Sequence, residues 1–405
     1  LSRGFESADR TARHAIVYDA SVIRRLYVHN FRCLENFELP ISDKSSALLI
    51  GKNGAGKTTV SFALEILQKI ARGTNRVRDL VKPKDLTRGR TDVPMRFEIE
   101  VELPLPPGLL GIVGDSPSRV YGYVVAFEFP EGFKELRVLE EKLTVDGKPV
   151  YTRELAQVHL AKTGQEKEAK FRIDWHVVAL PIVQDSPNDP SFIFKRWLAR
   201  MLILRPMPSL ILGGSDSKDE TLEPNPQLTN FGGWFSGLLA YAPSVYTGID
   251  EYLKQVMPDL KDIKNPVVGA DSRSLVVQFS NEQGSVNLPF ADLADGEKCF
   301  MICALVVAAN HAYGPVVCFW DEPDNYLALS EVGHFVLALR RAFQSGGGQF
   351  IATSHNPEAI RRFSGENTLL LHRKSHLEPT IVRPLDELQV SGNLVDALVR
   401  GDVEP

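Results

Sequence analysis

Gly51-Lys-Asn-Gly-Ala-Gly56-Lys57-Thr58 is the stretch on which the reading of this chain turns. It fits G-x-x-x-x-G-K-[ST] and stands between a short apolar run, ALLI (47–50), and VSFALEILQKIA (60–71), whose apolar spacing suits a largely buried helix. Strand, glycine-rich loop and helix, in that order, form the context in which such a loop wraps phosphate. The glycines let backbone N–H groups turn toward phosphate oxygens at a helix N-terminus, Lys57 reaches the β- and γ-phosphates, and the Thr58 hydroxyl ligates Mg²⁺. Gly51, Asn53, Gly54, Gly56, Lys57, Thr58 and Thr59 are therefore the expected nucleotide-binding residues.

Further along the chain, Val316-Val-Cys-Phe-Trp-Asp321-Glu322 is an apolar strand ending in two carboxylates. That places Asp321 at the mouth of a sheet beside the phosphate loop, where it can hold the Mg²⁺ shell, and makes Glu322 the neighbouring carboxylate that orients or deprotonates an attacking water. Leu293-Ala294-Asp295-Gly296-Glu297 lies just before a long apolar helix, and IATSHNPEA places His355 just after another buried strand.

In this order and spacing the motifs resemble those of ABC-type ATPases. In that family an LSGGE-like signature of one subunit closes over ATP held by another, and a switch histidine follows the strand after the second carboxylate. The resemblance implies that Ala294, Asp295, Gly296 and Glu297 contact nucleotide across a head-to-tail homodimer. It implies equally that Glu322 and His355 are catalytic, and that Thr58 and Asp321 hold the metal. The opening YVHNFRCLENFEL is similar to the start of the SMC, RecF and OLD-type ATPases, and DEPDNYLALSE, RPMPS and NFGGWFSGL resemble the compact members of phage-defence systems such as the Septu, PARIS and OLD-like groups. The likeness covers most of residues 22–385. It implies an ATP- and Mg²⁺-dependent ATPase that switches a separate effector protein, a nuclease being one class, in bacterial anti-phage defence. A RecF-like repair factor and a nucleotide-gated scaffold with dispensable hydrolysis are the alternatives. Ala294 replaces the usual serine of the signature, and no glutamine occupies the family's Q-loop; Gln68 comes too early, and a carboxylate near Glu140 or Glu141 is the stand-in to test.

The expected fold class is α/β: a P-loop ABC-type ATPase head, with a mixed sheet and crossover helices, carrying an antiparallel β subdomain and a helical insertion but no long coiled coil. Residues 1–20 read as an N-terminal arm without assigned function. Residues 21–174 read as the first part of the head with the antiparallel strands, 175–270 as the helical insertion, in which PSFIFKRWLARMLIL is the first helix, 271–390 as the second part of the head, where SLVVQF opens the alternation of strands and helices that a parallel sheet requires, and 391–405 as a tail. The 405 residues carry a formal charge of -5, which argues against a protein that coats nucleic acid. The segment 72–92 is read as a loop with a local basic excess, Arg72, Arg76, Arg78, Lys82, Lys84, Arg88 and Arg90 against three aspartates. Charge alone leaves open whether it contacts a DNA or RNA backbone or is a solvated face. Cys33, Cys299, Cys303 and Cys318 form no zinc-type pair, and no apolar stretch reaches the roughly 20 residues of a membrane span. A reducing, cytoplasmic location without membrane contact is expected. No N-K-x-D motif supports a GTPase, and no H-E-x-x-H or HNH-like motif supports a hydrolase of other bonds.

Overall fold

The computed structural model describes residues 22–105, 117–161, 169–268, 271–388 and 397; the N-terminal arm and most of the C-terminal tail lie outside them. Its centre is a six-stranded sheet in the order β10 (Leu202–Leu204), β17 (Val317–Trp320), β18 (Gln349–Thr353), β3 (Ser46–Ile50), β19 (Thr368–His372) and β20 (Ile381–Pro384). The first five are parallel and β20 returns antiparallel. SALLI, VCFW and QFIAT are buried on both faces, which is why they read as continuous apolar runs.

Because side chains alternate along a strand, the sheet feeds two cores. One takes Ala47, Leu49, Phe319 and Ile351 and packs them with α1 (Lys57–Ala71) and α3 (Pro190–Ala199). It is closed by an eight-stranded antiparallel sheet, in the order β2 (Phe37–Leu39), β1 (Ile23–His29), β4 (Met95–Pro104), β5 (Ser118–Glu128), β6 (Arg137–Val145), β7 (Lys148–Glu154), β8 (Gln157–Leu160) and β9 (Ala169–Arg172). The other core takes Leu48, Ile50, Cys318, Trp320 and Phe350 and packs them with α4 (Phe231–Tyr241), α5 (Val245–Val256), α6 (Asp295–Tyr313), α7 (Leu329–Gly346) and the short α8 (Pro357–Arg361). Two three-stranded antiparallel sheets flank this side, β11 (Gly214–Asp216), β14 (Ser272–Ser274), β13 (Val267–Val268), and β12 (Leu260–Lys264), β15 (Val276–Asn281), β16 (Gly284–Pro289). Among the described residues the longest helix is α6, with 19 residues, and no helix is long and apolar enough to cross a membrane.

Four local readings are corrected. PSFIFKRWLARMLIL stops being helical at Ala199; LIL enters the central sheet as β10, since a strand beside β17 buries both its faces. The segment 175–270 thus supplies a central strand as well as helices. SLVVQF forms β15 of a small antiparallel sheet and not a strand of the parallel one. The segment 72–92 is not a plain loop: it contains α2 (Val77–Leu80) and two 3₁₀ turns, with Val77, Leu80, Val81 and Leu86 buried. Glu140 and Glu141 are not at the nucleotide site. Glu140 pairs with Arg96 at 2.7 Å on β4, and Glu141 is wholly buried inside the antiparallel sheet.

Glu141 there accepts from the hydroxyls of Tyr123 (3.0 Å) and Tyr151 (2.8 Å) and from the backbone of Ala179 (2.6 Å) and Leu180 (2.8 Å), and faces buried Arg153 at 3.6 Å. Burial pushes both phenols well above their ordinary range, so they remain donors. Arg153 in turn donates to the carbonyls of Leu155, Asp174 and Val177, fastening the segment before α3 to the sheet. Glu141→Ala is expected to destabilise the fold by about 3–5 kcal/mol, since it strands a buried guanidinium and two hydroxyls. Urea unfolding measures this; a loss under about 1 kcal/mol would show that water replaces the carboxylate.

Candidate nucleotide site

The loop between β3 and α1 is held open by three glycines at positive φ, Gly51 (+145°), Gly54 (+81°) and Gly56 (+104°). A Cβ at Gly51 would run into the Leu371 carbonyl, and one at Gly56 would meet the side chains of Thr380 and Cys33. Only glycine permits both the conformation and the approach. Lys57, the first residue of α1, is buried and donates to the Gly51 carbonyl at 2.8 Å, so the ammonium lies across the loop. Burial pushes its pKa down, while the carboxylates of Glu322 and Asp321 act in the opposite sense.

Parallel packing of β17, β18 and β3 brings the distant motifs to one end of the sheet. Thr58 Oγ1 donates to Asp321 Oδ2 at 2.8 Å across 263 residues of chain. Two hard oxygen donors so placed fit Mg²⁺, which takes few protein ligands and completes its shell with water and phosphate. Accordingly no group of three or more His, Cys, Asp or Glu suited to a metal occurs among the described residues. Glu322 follows with φ +52°, an unusual conformation for a residue with a Cβ. His355 Nε2 stands 3.7 Å from Glu322 Oε1. Burial first, and then the Lys57 cation, lower the His355 pKa against the pull of Glu322, Asp324 and Asp321, so the imidazole is neutral at neutral pH.

Sequence reading missed the groups that hold these in place. Thr353, the last residue of β18, donates to Asp321 Oδ1 (2.5 Å) and accepts from the Glu322 backbone N–H (2.9 Å). Asn325 Nδ2 donates to Glu322 Oε2 at 2.6 Å and fixes the carboxylate. Ser354 donates to buried Asp324 at 2.8 Å, lacing the two loops together. Arg205, directly after β10, donates to Ser61 and Glu65 on α1 and lies over the Phe62 ring at 4.6 Å, tying the loop's helix to the strand beside β17. The one available signal was a polar residue ending each apolar strand run; its partner could not be read without the strand order.

Among the described residues no hydrogen bond or ion pair joins the segment 293–297 to 51–58. Ala294 precedes α6 and its backbone N–H donates to Glu297 Oε2 at 2.7 Å, but its methyl group offers nothing to the first-turn amides, so that helix N-terminus is open. Gly296 sits against the Tyr326 carbonyl of the loop after Glu322.

The basic side chains of 72–92 are largely spent internally. Arg72 is half-enclosed by Glu223 and two carbonyls, Arg76 faces Asp174, and Arg88 and Arg90 share Glu35.

Residues 22–144 match the AAA ATPase domain family. The OLD nuclease of Thermus scotoductus (strain ATCC 700910 / SA-01) is 44% identical over 46 residues, which are 11% of this chain and 8% of that protein. The match thus spans under a tenth of the relative. The fold is similar to that of an SMC head bound to the C-winged helix domain of ScpA, with a TM-score of 0.51 at 13% identity over 90% of this chain and 99% of that one. The SMC head domain from Thermotoga maritima gives 0.44 at 12% identity, covering 90% and 98%. The SMC head-like fold sets the glycine-rich loop beside the strand-end carboxylates, and the AAA ATPase domain match spans that loop.

Proposed function

We propose that the chain binds ATP with Mg²⁺ between the 51–59 loop and Asp321, closes as a head-to-tail homodimer, hydrolyses ATP slowly and passes the closed state to a separate effector protein. The observation that carries this reading is the Thr58–Asp321 contact at 2.8 Å, with Glu322 next in the chain and 3.7 Å from His355. Mg²⁺ held by Thr58 and Asp321 would supply charge neutralisation on the phosphates. The Glu322 carboxylate, fixed by Asn325, accepts the proton of the attacking water. Neutral His355 donates to the γ-phosphate.

The 293–297 segment supports the dimer, because it makes no bond to its own 51–58 loop and the first-turn backbone N–H groups of α6, beside the carboxylates of Asp295 and Glu297, have no side-chain cap from Ala294. Around it stand exposed apolar side chains: Met207 and Leu210, in the segment whose Pro208 carbonyl receives buried Lys298, and Tyr326 and Leu329 on the loop beside Gly296. A second copy covering them removes that surface from water. Anti-phage defence is the setting we favour, on the resemblance of the motifs. Ala294 favours a second reading, a scaffold that ATP holds closed and in which hydrolysis is dispensable. The internal pairing of four of the seven basic residues in 72–92 lends no support to a RecF-like DNA contact.

The test uses Glu322→Gln with ATP: light scattering should show a doubled mass, and co-purification of a neighbouring gene's product should exceed that with Lys57→Ala. Effector binding indifferent to both substitutions would favour the scaffold.

A further inference from the structure

Val332, Phe335, Val336, Leu339 and Phe343 turn one face of α7 into the core. Glu331, His334, Ala338 and Arg341, spaced three and four apart, form a second row beside that face. Both α5 and α7 pack on α6, and between them lies a groove of about 360 Å³, with buried Phe300 of α6 at its base and Val256 of α5 on its far wall. That volume lies within the roughly 300–1,000 Å³ usual for small-molecule sites. No residue of the 51–59 loop lines it, and neither do Asp321, Glu322 or His355, so it is separate from the nucleotide site.

Its chemistry is divided along its length. Phe300, Val256, Leu337 and Ala338 make an apolar middle. Glu331, the single carboxylate of the lining, stands at the N-terminal end of α7 and is already engaged, accepting the Ala328 backbone N–H at 3.0 Å. Arg341 stands ten residues on, about 15 Å away along the helix axis. Among the described residues neither the exposed Arg341 guanidinium nor the His334 imidazole has a hydrogen-bond or ion-pair partner. The neighbouring Arg340, by contrast, is bound to Ser46 and to the Arg362 carbonyl. A guanidinium left without a carboxylate at the end of an apolar trough suits an anionic group attached to an apolar body.

We propose that this groove is a binding site for a small amphipathic anion, its apolar body lying on Phe300 and Ala338, its anionic group on Arg341, and His334 a further donor along the body. The test titrates the full chain by fluorescence with 8-anilinonaphthalene-1-sulfonate and, separately, with N-phenyl-1-naphthylamine, the same rings without the sulfonate. Arg341→Ala should weaken the sulfonated dye about tenfold, as loss of one charge-assisted contact does, and leave the neutral dye unchanged. Ala338→Trp, which fills the trough, should remove this binding of both dyes. Arg341 has no bond to lose within the described fold, so its substitution decides the matter even if Ala338→Trp melts early. Affinities that ignore both substitutions, or an equal loss of charged and neutral dye in Arg341→Ala, would overturn the proposal. Wild-type chain that binds neither dye would overturn it too, and would leave the groove to a helix of a protein partner.

Discussion

Lys57→Ala should lower ATP affinity by roughly a hundredfold or more, as loss of two charge-assisted contacts to the β- and γ-phosphates requires. The ammonium is buried and within the field of Asp321 and Glu322, so its removal also takes away a positive charge that offsets theirs, and a polyanion then approaches less compensated negative charge. The free-state bond from Lys57 to the Gly51 carbonyl disappears as well, and the loop loses the clamp that holds it open. Equilibrium titration with ATP measures the effect, and a thermal melt checks that the chain remains folded. Affinity within about threefold of wild type would remove the nucleotide-site assignment.

Glu322→Gln should leave ATP binding near wild type and slow hydrolysis by about 10²–10⁴-fold, the contribution of a positioned general base. Substitution by the amide preserves the side-chain shape and an oxygen that can accept from Asn325 Nδ2, but it removes the charge that takes the proton. Backbone strain at residue 322 is the same in both proteins, because the backbone bond to Thr353 is untouched. Single-turnover hydrolysis separates the chemical step from product release. Wild-type turnover in the variant would move the base to another group, and His355, 3.7 Å away, is the next to test.

How much of this site is legible in the chain depends on whether a group's geometry is local. The loop from Gly51 to Thr59 is legible because its geometry sits within nine residues: positive φ demands glycine, and α1 starts directly after Gly56. Asp321 and Glu322 are legible because five apolar residues end abruptly in two acids, and a buried strand puts such acids only at its mouth. Thr353, Asn325 and Arg205 are ordinary polar residues in sequence. Their roles arise when parallel strands separated by tens to hundreds of residues come to lie 4.8 Å or so apart.

The same division accounts for the misread elements. The run ending in LIL has helical spacing up to Ala199, and three buried apolar residues carry no period of their own; the neighbour β17 made them a strand. Glu141, on β6, resembles any carboxylate of a half-buried strand until the neighbouring β5 and β7 enclose it with Tyr123, Tyr151 and Arg153. The charge of 72–92 reads as a solvent-facing excess because its acidic partners, Glu35, Asp174 and Glu223, are distant in the chain. Sequence by itself determined the phosphate loop, the paired carboxylates and the α/β class, since each follows from backbone and burial rules that act over a few residues. Tertiary structure alone decided which strands share the central sheet, which polar groups hold the carboxylates and which charges remain free, because those depend on contacts whose partners no local pattern encodes.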